Sequence, residues 1–547
     1  MSIFKRKHLF LGFLIACVIG IGACVVETPE EGEPIVVVET RIVEEVETVI
    51  VTQEVLITPT PQPHKPKGTL VFVLTTDINA IDFQISTEFN SWNAGFQMFD
   101  TLIEKTNDGD LLPELATRWE ISDDGLEYIF YLRDDVTFHN GEPFNADAMI
   151  YSWERNRKEG MYNQWYWNMA VNMEALDEYT IKITTAEPNP LYLSQIAENY
   201  SPLAPKYHEE VGDEGFYEHP IGTGPFMYEH WARGDYLSLV ANPNYWREGY
   251  PLVEKVIFKS IPETSTRIAA LKTGEVDIIT RLTGEDAKSL MGYPGVTLIK
   301  YPVDRVYYLA FNNMTTGVGT PIEDRDVRLA MNYAVDVQAI VDAFFDGHAV
   351  LSSSLVGTQN LGYDGVDPYP YDPEKAMELL AEAGYPNGFE IGMACPDGAY
   401  ARINEVCQAI ASYLGKVGIV VDLEFMESTL FWNLEYEKAL PPLFVDSWSG
   451  TTGEANQRVS GTLHRTASYA SWFDEKYASM VDKILSTVDR AEREQLYREI
   501  QVMLREDPPF IYLYEPVSFE AHRTSVLDYM PSPYESYELW NVWKIDD

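Results

Sequence analysis

Histidine and cysteine are scarce in this chain, and long apolar runs scarcer still. Of 547 residues, nine are histidine and four cysteine. The histidines are scattered, and neither a histidine nor a second cysteine pair stands beside Cys395 and Cys407, so no metal-ligand spacing emerges. Gly-x-Ser-x-Gly, His-Glu-x-x-His, a phosphate loop ending in Gly-Lys-Ser/Thr and a nucleotide fingerprint are all missing. Gly222-Thr223-Gly224 lacks the partners of either nucleotide motif and reads as a tight turn where two backbones approach closely. Acidic pairs abound, but among 85 Asp and Glu their spacing says nothing about acid–base chemistry. These absences leave no catalytic constellation, no cofactor and no metal site; the chain does not read as an enzyme. Bases number only 40, for a net charge of −45, which argues against nucleic acid and against intimate contact with anionic lipid. No repeat of fixed period appears in the folded part.

The one sustained apolar run, Leu9 to Ala23, has 15 residues, short of the roughly 20 that a membrane span needs. Lys5, Arg6 and Lys7 precede it and the small residues Ile21-Gly22-Ala23 close it, the layout of a signal peptide over residues 1–23. Cys24 follows directly, as in a bacterial lipobox, and is the expected lipidation site. Leu14-Ile15-Ala16-Cys17 is a rival with a very short apolar core, and an uncleaved anchor is the other reading. Each puts the body outside the cytoplasmic membrane. Residues 24–67 read as a disordered tether. Glutamates interrupt every apolar stretch between Val36 and Val55, although local β-propensity is high, and Pro59, Pro61, Pro63 and Pro66 favour extended conformations. A flexible segment of the 43 residues after Cys24 would span roughly 35–40 Å.

What is present is a soluble body with 46% apolar residues, enough for a sizeable core, and 13% aromatics. The cluster Trp165-Tyr166-Trp167 suits core packing or a stacking platform. Ser122-Asp123-Asp124-Gly125 is a turn between strand-like segments, Asn140-Gly141 a second turn, and Asn145 with Asp147 a helix start. This run, from Pro113 through Phe138-His139-Asn140-Gly141-Glu142-Pro143-Phe144-Asn145-Ala146-Asp147-Ala148 to Ser152, resembles the family 5 solute-binding proteins, the capturing components of ABC importers. Pro220 to Phe226, Asn242-Pro243-Asn244-Tyr245-Trp246, Gly274-Glu275-Val276-Asp277, Val327 to Asp336, and Tyr371-Asp372-Pro373 with Ala383 to Pro386 are similar to the family in the same order, over nearly the whole chain after about residue 68.

The coarse pattern is α/β. Thr69 to Leu74 is a buried strand; Asp372 caps a helix that starts at Pro373 and stops at Gly384; Ala401 to Val417 is a helix, Ile419 to Phe425 a strand, 474–506 a helical pair, and Phe510 to Tyr514 a returning strand. The resemblance implies a two-lobed type II periplasmic-binding-protein fold with an extra subdomain in lobe I and a two-segment hinge. Lobe I would be 68–308 plus 515–547, with the subdomain near 98–205, and lobe II 309–514. The chain would cross between lobes near Tyr307 to Asn312 and near Tyr514 to Pro516, and close over its ligand. Cys395 ends a strand and Cys407 lies in the second turn of a helix, a separation a disulfide can span outside the membrane; two buried free thiols are the other reading.

For the ligand, the resemblance to peptide binders points to Asp446 through Glu454. Trp448 matches a Trp-x-x-Asp pattern, but Thr451 stands where an aspartate would hold an ammonium group. Glu454 could substitute for it. Arg402 matches the arginine that holds a carboxylate in dipeptide binders; a surface arginine is the plainer reading. Asp77 is a further ligand candidate. Peptide comes first on this reading, an oligosaccharide stacked on Trp448 second, and a tethered receptor without transport is the remaining alternative. The expected partners are a small-molecule or peptide ligand, ABC permease subunits and a membrane held through a lipid anchor, with the protein a monomer.

Overall fold

The structure, a computed structural model, describes residues 65–547 except 83, 86–88, 108, 159–160, 162–163, 451 and 546–547, together with two short strands nearer the N-terminus. Those strands, Ile35–Val37 and Val55–Ile57, pair antiparallel within the stretch read as a tether. The rest of that stretch before residue 65, the signal peptide and Cys24 lie outside the described residues.

The body is α/β with two lobes, each built on its own sheet. In the first, Thr69–Leu74 pairs in parallel with Lys255–Ser260 on one side and Ile278–Leu282 on the other. Tyr236–Ala241 and Phe226–Ala232 extend one edge, and Tyr514–Arg523 and Val296–Pro302 the other, all antiparallel. Successive residues of a strand point to opposite faces. Leu70, Phe72 and Leu74 accordingly enter one core with Phe226, Leu237 and Tyr537, while Val73 enters another with Leu271 and Ile279. Burial on both faces explains why the strand reads as an unbroken apolar run. Gly274 adopts φ 78° to end the helix Thr264–Thr273, and Asp277 then accepts from the Val71 amide at 2.8 Å, which locks that helix exit to the first strand.

The subdomain carries a four-stranded antiparallel sheet of Ala116–Ile121, Glu127–Leu132, Thr180–Thr185 and Ala170–Asp177. The turn at Ser122 to Gly125 joins its first two strands, with Gly125 at φ 70°. Asn145 caps the next helix, Ala146–Asn156, by accepting from the Ala148 amide. Trp167 is fully buried and stacks on Tyr200 with centroids 4.1 Å apart, so it serves the subdomain core. His139 grips the Gly222 to Gly224 turn: its Nδ1 accepts from the Gly222 amide at 3.3 Å and its Nε2 donates to the Gly224 carbonyl at 3.0 Å. Burial lowers its pKa to about 4, so the ring is a neutral clamp. A Cβ at Gly222 would sit 2.1 Å from the Met98 carbonyl oxygen, the close backbone approach expected of this turn.

The second sheet runs Ile419–Met426, Phe389–Pro396, Leu443–Ser449, Arg305–Phe311, Phe510–Tyr512. Its first two strands are parallel and connected by the helix Ile403–Lys416. That helix begins two residues later than Ala401 because Arg402 takes a left-handed φ of 58°. A disulfide joins Cys395 to Cys407, with Cα atoms 6.4 Å apart.

The connections between sheets differ in detail from the expected positions. Tyr307 to Asn312 does not cross; Arg305–Phe311 already lies in the second sheet, and the chain passes over at Val303-Asp304, directly after Pro302. The return is at Leu513 rather than after Tyr514, since Tyr514 is the first residue of a lobe I strand, so Phe510 to Tyr514 is two strands in two sheets. Ala349–Leu351, inside the span assigned to lobe II, pairs with Tyr514–Pro516 at the start of that lobe I strand. An apolar run carries no mark of which sheet it joins, and only the partner strand decides.

Glu520 lies on the Tyr514–Arg523 strand, one in from the edge of the first sheet, with no exposure, accepting from the Tyr301 hydroxyl at 2.7 Å and from the Tyr529 hydroxyl. Burial pushes its carboxyl up to about 7. In the unfolded chain it ionises near 4.5, so between these pH values the folded state holds a proton that the unfolded state has lost. Its contribution is complete below about pH 4.5 and is lost as pH rises through about 7. Glu520→Gln puts one acceptor oxygen and one N–H donor at the two oxygen positions, as the protonated carboxyl does, and does not titrate. It should leave stability near pH 4.5 unchanged and raise it at pH 8 by roughly 1–3 kcal/mol in denaturant melts. Identical pH dependence in the two proteins would show that Glu520 does not carry this proton.

Candidate functional site

The sequence between the sheets supplies its own anchor. Asp304, in the first crossing, is fully buried and pairs with the equally buried Arg458 at 2.8 Å. Arg458 also donates to the carbonyls of Trp448 and Leu355, at 3.0 and 2.8 Å, and to Asn360 Oδ1 at 2.8 Å. Asn360 in turn donates to the other oxygen of Asp304 at 2.8 Å. The Asp304 backbone accepts from Gly450 at 2.9 Å and donates to Pro533 of lobe I at 3.0 Å. A Cβ at Gly450 would stand 2.4 Å from Asp304 Oδ2, so that position needs glycine. One ion pair therefore holds the crossing, the loop after Trp448, the loop at 355–360 and the C-terminal segment of lobe I.

Around this anchor the two lobes present facing walls. On the lobe II side, Tyr307 stacks on Tyr514 of the second crossing, centroids 4.9 Å apart, and meets Tyr400 edge-on at 5.2 Å. Tyr400 donates to the buried Asp446 at 2.8 Å. Burial raises both groups, and the Asp446 charge adds to the rise of the Tyr400 phenol. Arg305 donates to Ser447 Oγ at 2.8 Å, its guanidinium 5.7 Å from the Tyr400 ring centre. On the lobe I side, Arg281, at φ 54°, pairs with Glu535 at 3.2 Å. The Tyr307 phenol is raised first by burial, with Arg305 opposing and the Glu535 charge adding to the rise. Charges from both lobes thus converge on that hydroxyl.

The walls touch at the rim. A Cβ at Gly453 would come within 3.0 Å of Gly109 Cα and 3.1 Å of the Tyr534 hydroxyl, and Asp110 of the subdomain pairs with Arg490 of lobe II at 2.8 Å. Behind Tyr534 a cavity of about 260 Å³ runs between the subdomain and the C-terminal segment. Its carboxylates are largely engaged: Asp100 accepts from Tyr245 and Trp246, Glu104 pairs with Arg247, and Glu198 pairs with Lys105. Among the described residues no group of three or more His, Cys, Asp or Glu is arranged to hold a metal.

The candidate residues distribute unevenly. Trp448 lies on the lobe II wall, half-buried, edge-on to Tyr469 at 5.9 Å and packed so tightly on Gly461 that a Cβ there would be 2.3 Å from the indole. Arg402 is exposed and pairs with Glu405 at 3.0 Å. Glu454 is buried, with both oxygens on Arg493 at 3.0 and 2.6 Å and a bond from the Tyr497 hydroxyl at 3.0 Å. A carboxylate neutralised this way has no free charge to offer an ammonium group. Thr451 lies outside the described residues. Asp77 is exposed and accepts from the Gly234 amide at 2.9 Å, at the tip of a lobe I hairpin. Trp448 thus lies next to Ser447 on the strand that pairs with Arg305–Phe311, whereas Asp77 and Glu454 bond elsewhere. Sequence reasoning passed over Asp304, Arg305 and Arg458. The available signal was the charged pair Asp304-Arg305 breaking an otherwise strand-like stretch from Val296 to Phe311.

A family model of bacterial extracellular solute-binding proteins, family 5, matches residues 110–470. The chain belongs to that family. It is a binding component of an ABC importer and not an enzyme, and it works outside the cytoplasmic membrane. It is 29% identical over 484 residues to heme-binding protein A of Haemophilus influenzae, covering 82% of this chain and 87% of that one. It is 30% identical over 451 residues to the glutathione-binding protein GsiB of Pectobacterium atrosepticum, covering 78% and 85%. The solved structure of HbpA2 from Haemophilus parasuis superposes with a TM-score of 0.81 at 26% identity, over 87% of this chain and all of that one. Among the described residues no helix is long and apolar enough to cross a membrane.

The ion pair at the crossing gives a stability prediction for this solute-binding protein. Arg458→Leu strands the Asp304 carboxylate in the interior and should cost about 3–5 kcal/mol in denaturant unfolding. Adding Asp304→Leu should recover a substantial part of the loss. A double variant no more stable than the single one would mean that the two charges are not coupled.

Proposed function

We propose that this chain captures a short peptide between its lobes and hands it to the permease of an ABC importer. The observation that carries the reading is the double connection at Val303-Asp304 and Leu513, which leaves polar and aromatic walls from both sheets facing one another. Two chain segments crossing in one place form a hinge that can close the walls over a ligand. The match to a glutathione-binding relative supports a peptide. The half-buried indole of Trp448 favours a second reading, an oligosaccharide stacked on that ring. On either reading residues 1–23 are removed, Cys24 carries the lipid, and the segment 24–67 tethers a monomeric body whose lobes part at Val303-Asp304 and at Leu513, a few residues from the 308/309 and 514/515 boundaries expected from the sequence.

Titration calorimetry and thermal-shift screening of the purified body against peptide and oligosaccharide libraries test the choice. Peptides should raise the melting temperature and oligosaccharides should not; the reverse result overturns the peptide reading. The bound ligand should also shrink the radius of gyration in small-angle scattering. Tight binding with unchanged scattering would contradict a closing hinge.

A further inference from the structure

We propose that Arg305 is the seat of a carboxylate on the captured solute, so that the protein selects acidic ligands; this rests on the reading of an interlobe solute site given above. The argument begins with charge balance. With 85 acidic and 40 basic residues, a partly buried arginine in this chain has carboxylates in excess around it. The buried arginines use them: Arg155 pairs with Asp82 and Asp213, Arg328 with Asp507, Arg458 with Asp304 and Arg493 with Glu454. Arg267, buried without a carboxylate, spends its donors on the carbonyls of Ile261 and Pro262 and on Thr264. Arg305 does neither. It is half-buried, its one hydrogen bond is to Ser447 Oγ, and among the described residues no carboxylate lies within ion-pair distance of it. Arg157 and Arg505, also half-buried, have no ion pair among the described residues either, but Arg157 lies over the Trp153 ring in the subdomain and Arg505 donates to the Asp367 carbonyl, whereas Arg305 directly follows the crossing residue Asp304.

The charges around it are already committed. Asp446, whose carboxyl feels Arg305, is held by the Tyr400 hydroxyl at 2.8 Å. Glu535, on the facing wall, is neutralised by Arg281 at 3.2 Å. What remains is a guanidinium with most of its five N–H groups unspent, flanked by the Tyr400 ring, in the wall beside the crossing. Partial desolvation strengthens its field and makes an uncompensated charge unfavourable, so an arriving anion is favoured there. The planar fork of donors matches a carboxylate in two-point contact, which a lysine could not supply. This assignment moves the anion seat from Arg402, which is exposed and paired with Glu405, to the start of the strand that pairs with Leu443–Ser449.

The test uses ligands that register on the wild-type protein in the library screen, followed by calorimetry with Arg305→Gln, Arg305→Lys and Arg402→Gln. For a carboxylate-bearing peptide, Arg305→Gln should weaken Kd by at least about tenfold, with a smaller loss in Arg305→Lys and none in Arg402→Gln. C-terminally amidated peptides and peptides with neutral side chains separate the two sources of the carboxylate. Whichever neutralisation abolishes the difference between wild type and Arg305→Gln names the group that sits on the arginine. The melting temperature of the ligand-free Arg305→Gln protein should match wild type; if it does not, Arg305→Lys carries the comparison. Equal binding of acidic peptides by wild type and Arg305→Gln, or a loss seen only in Arg402→Gln, overturns the assignment while leaving solute capture intact. If no library member binds the wild-type protein, the capture reading falls and this assignment with it.

Discussion

Everything at the centre of this molecule depends on the burial of one charged pair, Asp304 with Arg458. Two ions taken out of water are expensive unless each finds its full set of partners. Here the set is nearly complete: four of the five guanidinium N–H groups are used, and Asn360 takes the remaining carboxylate oxygen. The partners come from four separate stretches of chain, so satisfying the pair requires all four to be in place at once. This makes the crossing between lobes a defined joint rather than a loose strand, and it gathers the Trp448 carbonyl, Gly450 and Pro533 around that joint.

The same accounting of charge distinguishes structural arginines from the one proposed to act on a ligand. A protein this acidic surrounds its cations with carboxylates, and the buried guanidiniums at 155, 328, 458 and 493 each hold one. Arg305, half-buried like Arg157 and Arg505 and like them without an ion pair among the described residues, differs in lying directly beside the crossing between the lobes. The aromatic groups beside it, Tyr307, Tyr400 and Tyr514, form a rigid flank whose hydroxyls are kept protonated by burial. Among the described residues the wall therefore offers one unpaired charge beside aromatic surface, a combination that orients a small solute without crowding it.

Much of the local structure was legible beforehand, for identifiable reasons. The Asn145 cap, the start at Pro373 and stop at Gly384, and the turn ending in Gly125 each express a preference of a single residue for one backbone state. The Gly222 to Gly224 turn was readable because only glycine allows the contact with Met98. The candidate site was less legible. Trp448 was singled out and lies on the wall, but Glu454 faces Arg493 and Arg402 faces Glu405, choices made by neighbours about forty and three residues away. Spacing alone cannot report a partner 39 residues away, whereas the Arg402–Glu405 pair is an i,i+3 contact that helical spacing does offer.

By itself the sequence determined the class of the fold, several strands and helices with some of the helix ends, and membership of a solute-binding family, because these rest on residue preferences and on short patterns that survive without their surroundings. Tertiary structure decided which sheet each apolar run joined, so that Phe510–Tyr512 and Tyr514–Arg523 part company at Leu513. It also decided which charges were consumed inside the fold and which were left facing the space between the lobes. Both outcomes depend on contacts between segments far apart in the chain: a strand takes its place from its hydrogen-bonded neighbour, and a charge its role from whether a counter-charge can reach it.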